Sequence, residues 1–223
     1  MWVTLHVGRG FSRDMYEVSE LKPGPHGLLP TQGITNGMRK TVLAFGIGIV
    51  ILAAAAGWFH RHTTRYDFII SQAAARNGVD FYLAKALVYE ESWFRPNIRG
   101  AAGELGLMQI TRAAASDFVT EKQLPAFSDA RLIEPELNAE IGCWYLGQSI
   151  RRYKNLPAPQ LFALLRYNAG ESRADNWLRQ AAQAPAPAGV SSEEHYLSFV
   201  DFPKTRAYAR RILQRSRKKN FWF

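Results

Sequence analysis

The residues best suited to chemistry lie between Asp80 and Ile110, in the stretch DFYLAKALVYEESWFRPNIRGAAGELGLMQI. Asp80 is a natural N-cap, and Phe81, Ala84, Leu87 and Val88 recur at helical spacing behind it, so a short helix with a buried face ends on the acids Glu90 and Glu91. Consecutive helical residues point about 100° apart. The two carboxyls therefore have different surroundings, and one is expected to face a cleft while the other faces solvent. A carboxyl at the end of a buried helix is partly desolvated, which raises its pKa and keeps it protonated, as a general acid must be. The plain alternative is a pair of solvated helix-end acids. Three further pieces bear on the choice: Gly103 to Ile110, Arg166-Tyr167-Asn168-Ala169-Gly170, and Phe202-Pro203 with Tyr208. Gln109, Asn168 and the tyrosine hydroxyls are neutral hydrogen bonders of the kind that orient a sugar, although they serve equally to tie helices to loops. Ordinary glycosidases flank the scissile bond with two carboxylates, about 5 Å apart for retention and further for inversion. Only one acid here stands at such a position. One acid/base suffices when the nucleophile belongs to the substrate and is already held close.

The elements that position these residues read as helices. One is expected over 66–77 with Gly78 as its stop, and the helix capped by Asp80 follows. Arg95 to Gly106 holds Pro96 and three glycines, and has room only for a small hairpin or loop. Thr111 caps a helix to about Lys122. Pro135 opens a longer one with Leu137, Ile141, Trp144, Tyr145 and Ile150 as its apolar stripe. A helix over 159–169 stops at Gly170, Ser172 caps the next to about Gln183, an Ala-Pro connector follows, and 204–218 forms a basic last helix. The fold class expected is mainly α, with at most a small β element.

At 223 residues the chain has room for one compact domain with appendages. A net charge of +9 and a pI near 9.8 point to an anionic partner. There is no zinc-ligand cluster, P-loop or nucleic-acid module in the sequence, so a membrane surface or an anionic cell wall is favoured over nucleic acid. The lone Cys143 sits in a helical apolar pattern and reads as a small buried residue. Residues 1–38 lack periodicity and read as disordered, or as a misassigned extension ahead of a true start at Met38. Residues 39–59 read as a signal anchor: Thr41 to Phe59 carries no charge, and about twenty residues cross a bilayer. Arg39 and Lys40 ahead of it place the N-terminus in the cytoplasm and the rest outside. A cleavable signal peptide, cut after Ala54-Ala55-Ala56, is the alternative, and would leave a secreted protein. Residues 60–65 read as a short basic linker. Residues 214–223 form a basic-aromatic tail suited to an anionic wall or lipid headgroups.

Taken jointly, in this order and at these separations, Glu91-Ser92-Trp93-Phe94, Gly103 to Ile110, Arg166 to Gly170 and Phe202 to Tyr208 resemble the catalytic domain of the soluble lytic transglycosylases, relatives of goose-type lysozyme. The resemblance covers 66–213 and implies a compact lysozyme-like α domain behind the N-terminal helix. It implies cleavage of the β-1,4 bond between N-acetylmuramic acid and N-acetylglucosamine in peptidoglycan, leaving a 1,6-anhydro end. Glu91 matches the single catalytic acid/base and Ser92 the serine that helps position it. Met108 and Gln109 match a cleft-lining pair, Tyr167 and Asn168 the second wall, and Tyr208 a tyrosine that approaches the acid. No metal and no organic cofactor is implied, the partners are glycan strands and the membrane, and the expected state is a monomer in the cell envelope. The sequence departs from the family at Gly100, at Thr111-Arg112 and at Glu104, which stands where hydrolytic relatives can carry a second carboxylate. A muramidase, or a peptidoglycan-binding scaffold without turnover, is the alternative.

Overall fold

A computed structural model of the chain describes residues 36–219. The expected disorder of 1–35 and the aromatic end Phe221-Trp222-Phe223 lie outside the described residues. The chain divides into two units, Met1–Ile49 and Val50–Phe223. The described part of the first is the leading part of helix α1 (Asn36–Thr64), where Val42, Leu43, Phe45, Ile47 and Ile49 are all exposed. An exposed apolar surface of this kind suits lipid rather than water. At about 1.5 Å per residue, the 29 residues of α1 are long enough to cross a bilayer.

Two expected boundaries move. Residues 36–38 already belong to α1, and 60–64 continue it instead of forming a linker. The reason is that Thr63 is fully buried, so the polar end of the helix packs into the second unit.

The second unit continues with α2 (Asp67–Asn77), α3 (Phe81–Ser92), α4 (Arg112–Lys122), α5 (Asp129–Leu132), α6 (Pro135–Arg152), α7 (Pro159–Ala169), α8 (Glu171–Ala182), α9 (Ser192–Ser198) and α10 (Pro203–Arg217). Asp80 Oδ1 accepts from Leu83 N at 3.0 Å, and Thr111 Oγ1 from Ala114 N at 3.1 Å, so both expected caps form. Ser172 does not cap α8. Gly170, at φ 86°, ends α7 and begins α8 by itself, and Ser172 lies inside the first turn. Only a residue without Cβ holds that backbone at little cost, and α8 starts without a side-chain cap. The last helix, expected over 204–218, runs over Pro203–Arg217 and so takes in the first residues of the basic tail.

α6 is the central helix and packs against α2, α4 and α7; α3 packs against α2 and α10, and α10 also against α7. Ile141, Leu146, Leu161, Phe162, Leu83 and Leu87 are among the core side chains. Cys143 is fully buried, and burial pushes its thiol pKa up to about 12. Between α3 and α4 the chain forms a tight loop with two isolated antiparallel bridges, Arg99 with Leu105 and Leu105 with Ile110. That is the whole β content of the described residues.

Candidate active site

Helices α3 and α10 bring Glu91 and Tyr208 together across 117 positions: the phenol donates to Glu91 Oε1 at 2.5 Å. Tyr208 is 6% exposed. Burial raises the Glu91 pKa from 4.5 to about 7, the Tyr208 hydrogen bond works against the rise, and the charges of Glu90 and Glu104 add to it. Desolvation wins. Since Oε1 is occupied by an incoming O–H, Oε2 is the oxygen placed to carry a transferable proton. Burial, with the negative charge of Glu91 beside them, holds the phenols of Tyr208 and Tyr167 well above their usual pKa, so both remain donors.

Glu90 does not face solvent as expected. Its side chain is 14% exposed and pairs with Arg211 and, at 3.4 Å, with Arg215. The pattern of α3 alone gives no sign of this, because both partners arrive from α10.

The loop is seated by Asn138 of α6, which is fully buried. Its Nδ2 donates to Leu105 O at 2.8 Å and to Leu132 O at 2.7 Å, and its Oδ1 accepts from Met108 N at 2.7 Å. Gly106, at φ 81°, turns the loop over this amide, and a Cβ there would collide with the Asn138 side chain. Asn138 is a functional residue that the sequence reading passes over. A signal for it exists: it shares a helical face with Ile141 and Tyr145, and a polar side chain on an apolar face needs partners.

The other expected residues divide. Tyr167 OH donates to Met108 O at 2.8 Å, and its ring packs edge-on against Tyr145 at 5.6 Å. Arg166 lies over Tyr145 at 4.8 Å, anchored on Glu171 and Ser149, which fixes that wall. Asn168 is exposed, and its Oδ1 accepts from Thr205 Oγ1 at 2.7 Å, so its amide nitrogen is the end that can meet a ligand. Gln109, held at φ 48°, spends its Nε2 on Gly106 O at 2.9 Å and Ile98 O at 3.3 Å, and its Oε1 lies against Gly100 of the same loop.

Two of the expected substrate contacts are corrected. Met108 has no exposed surface and packs against Gly142, so it lines the core and serves the site only through its backbone. Ser92 is 2% exposed, and its hydroxyl donates to Val88 O at 3.1 Å inside its own helix, away from the Glu91 carboxyl. Glu104 is half-buried, and its Oε2 accepts from Ala102 N at 3.0 Å, which folds the carboxylate back over the loop. Several cations of α10 are committed as well: Arg210 pairs with Glu194, Arg211 and Arg215 with Glu90, and Arg217 with Glu193.

A cavity of about 260 Å³ flanks the acid without including it, and is lined by Gln109, Thr111, Asp117, Tyr145, Tyr167 and Asn168. Amides, a hydroxyl and aromatic rings on its wall suit a hydroxylated ligand such as a sugar, and Asp117 and Arg166 add one charge of each sign.

Residues 68–187 match the family model of the Transglycosylase SLT domain. The chain is 29% identical over 170 residues to the soluble lytic murein transglycosylase of Escherichia coli K12, covering 73% of this chain and 25% of that protein. It is 34% identical over 110 residues to a membrane-bound lytic murein transglycosylase F of Desulfosudis oleivorans, covering 48% of this chain and 22% of the other. The crystal structure of the 70 kDa soluble lytic transglycosylase from Escherichia coli superposes with a TM-score of 0.59 at 26% identity, over 68% of this chain and 23% of that one. The chain thus spans about a quarter of the length of the curated relatives it matches.

Proposed function

We propose that this chain, which belongs to the Transglycosylase SLT family, is a lytic transglycosylase that cuts peptidoglycan with Glu91 as its only acid/base. The observation that carries this reading is the buried Glu91 carboxyl, raised to about pKa 7 and held on one oxygen by Tyr208. Near neutral pH a large share of Glu91 is protonated. Oε2 donates its proton to the glycosidic oxygen of the N-acetylmuramic acid–N-acetylglucosamine bond as that bond breaks. The resulting carboxylate then takes the proton of the muramic C6 hydroxyl, whose oxygen closes on C1 to give the 1,6-anhydro ring. Atoms and protons balance, Glu91 returns to its starting state, and no water enters.

Tyr208 holds the carboxyl in register. The Asn168 amide nitrogen supplies a donor for the sugar, and Gln109 lines the adjoining cavity. The apolar length of helix α1 supports a membrane anchor, and Arg39 and Lys40 near its start favour an orientation with the catalytic unit on the periplasmic side.

Mass analysis of a digest of purified peptidoglycan tests the reaction: anhydro-muropeptides are expected from the wild type. Because one group acts in both steps, kcat/KM is expected to fall along one limb as pH rises through about 7. In Tyr208→Phe the bond that favours the carboxylate is gone. The Glu91 pKa then rises and the limb moves to higher pH, while kcat drops by about 10- to 100-fold as the acid loses its register. A limb that moved down would contradict this assignment.

A hydrolytic reading needs Glu104 to activate water. Glu104 is near enough for its charge to be felt at Glu91, which favours that reading, but its Oε2 is already tied to Ala102 N. Glu104→Gln is therefore expected to leave the proportion of anhydro to reducing ends unchanged. A wild-type reducing product that disappears in Glu104→Gln would establish hydrolysis instead.

A further inference from the structure

The two residues that follow Glu91-Ser92 are held in an unusual backbone conformation. Trp93 and Phe94 have φ of 50° and 58°, consecutive left-handed residues without a glycine. Each such residue costs about 1–2 kcal/mol, so the pair persists only where its surroundings fix it. Part of the fixing is local, since Trp93 N donates to Tyr89 O at 2.9 Å and Arg95 N to Ser92 O at 3.1 Å.

The rest comes from the end of α1 and the residue just beyond it. His62 Nε2 donates to the Trp93 carbonyl at 2.9 Å, and Arg65 donates to the Phe94 carbonyl. The His62 ring lies 4.3 Å from the Trp93 ring and meets Phe94 edge-on at 6.2 Å, and Trp58 stacks on the outer side of His62 at 5.2 Å. Phe94 is fully buried, with Tyr89 on its other side at 6.1 Å. Trp58, His62 and Arg65 all precede residue 68, where the match to the family begins.

We propose that His62 and Arg65 are positioning residues for Glu91, so that the end of the apolar helix is a working part of the catalytic frame. Released carbonyls at Trp93 and Phe94 would let the pair relax toward ordinary backbone and loosen the last turn of α3. Glu91 is two residues from Trp93 and would lose its register on Tyr208. The inference rests on Glu91 being the acid.

The test uses the full chain in detergent micelles, acting on soluble glycan oligomers. His62→Ala and Arg65→Ala are expected to lower kcat about tenfold or more with KM within twofold of wild type. His62→Gln, whose side-chain N–H group can reach the same carbonyl, is expected to recover most of the loss. Arg65 is exposed, so its truncation leaves no buried hole and keeps the test clear of misfolding. A kcat within twofold of wild type in both alanine variants overturns the proposal, and so does a His62→Gln as impaired as His62→Ala.

A second readout needs no turnover. The carboxyl 13C resonance of Glu91, assigned by its loss in Glu91→Gln, is expected to move in His62→Ala and Arg65→Ala. If the wild type forms no product, the reaction assigned above is wrong, and this resonance alone decides on the clamp. An unmoved resonance sinks it.

Discussion

Glu91→Gln is expected to reduce product formation by about 10³-fold or more and, at the same time, to make the protein more stable at pH 8. The first effect follows because an amide cannot donate a proton and take it back, and a positioned acid/base is worth about 10²–10⁴-fold. The second follows from the cost of burying the charge. Glu91 titrates near 4.5 when unfolded and about 7 when folded, so the folded state holds its proton more tightly. The stability that this group contributes is fully present below pH 4.5 and is lost as pH rises through 7.

Above pH 7 the wild type carries the full penalty. At about 1.4 kcal/mol per pKa unit the ceiling is about 3–4 kcal/mol, and residual hydration reduces it to about 2 kcal/mol. The amide introduced by Glu91→Gln carries no charge, and its carbonyl oxygen still accepts from Tyr208. Thermal unfolding is therefore expected to show the variant about 4–8 °C above wild type at pH 8, with the difference closing at pH 4. A variant that is inactive but no more stable at pH 8 would mean that Glu91 is well hydrated in the folded protein and that burial does not set its acidity.

The other large effect is expected at a residue that touches no substrate. Asn138→Leu keeps the branched side-chain shape but strands two buried backbone groups, Met108 N and Leu132 O, and takes one of two bonds from Leu105 O, which Ile110 N still meets at 2.8 Å. An unsatisfied buried polar group costs about 1–3 kcal/mol, so a loss of roughly 3–5 kcal/mol is expected. Activity should fall with it. The loop carries Gln109 and the Met108 carbonyl that holds Tyr167, so the far wall of the site shifts when the loop is unseated. Urea unfolding measures the stability change, and turnover well below the unfolding midpoint measures the activity. A variant with full stability and full activity would show that the loop is held by other contacts.

Much of the helical frame can be read from local rules. Asp80, Thr111, Pro135, Pro159 and Gly78 mark their boundaries by chemistry that acts over one turn, and the structure has helix ends at each. α5 and α9 escape such rules because four and seven residues are too few to show a 3.6-residue period. The site is less legible. Glu91 can be singled out by its place at the end of an apolar helix, yet the arrival of Tyr208 on its carboxylate is set by the packing of α3 on α10, which no local pattern encodes.

Ser92 and Met108 show the limit of reading roles from a motif. Their positions beside the acid and in the loop are right, but their side chains point into the protein. Glu90 shows the same limit for charge: its partners are 121 and 125 positions away, so its burial could not be foreseen from α3.

The buried thiol of Cys143 has a consequence for its reactivity. Only a thiolate attacks a disulfide or an alkylating agent, and a thiol that is fully buried with a pKa near 12 almost never presents one. In the folded chain Cys143 is therefore expected to resist oxidation and disulfide exchange. The same shielding makes Cys143 a timer, because its first reaction with iodoacetamide waits for α6 to part from its neighbours.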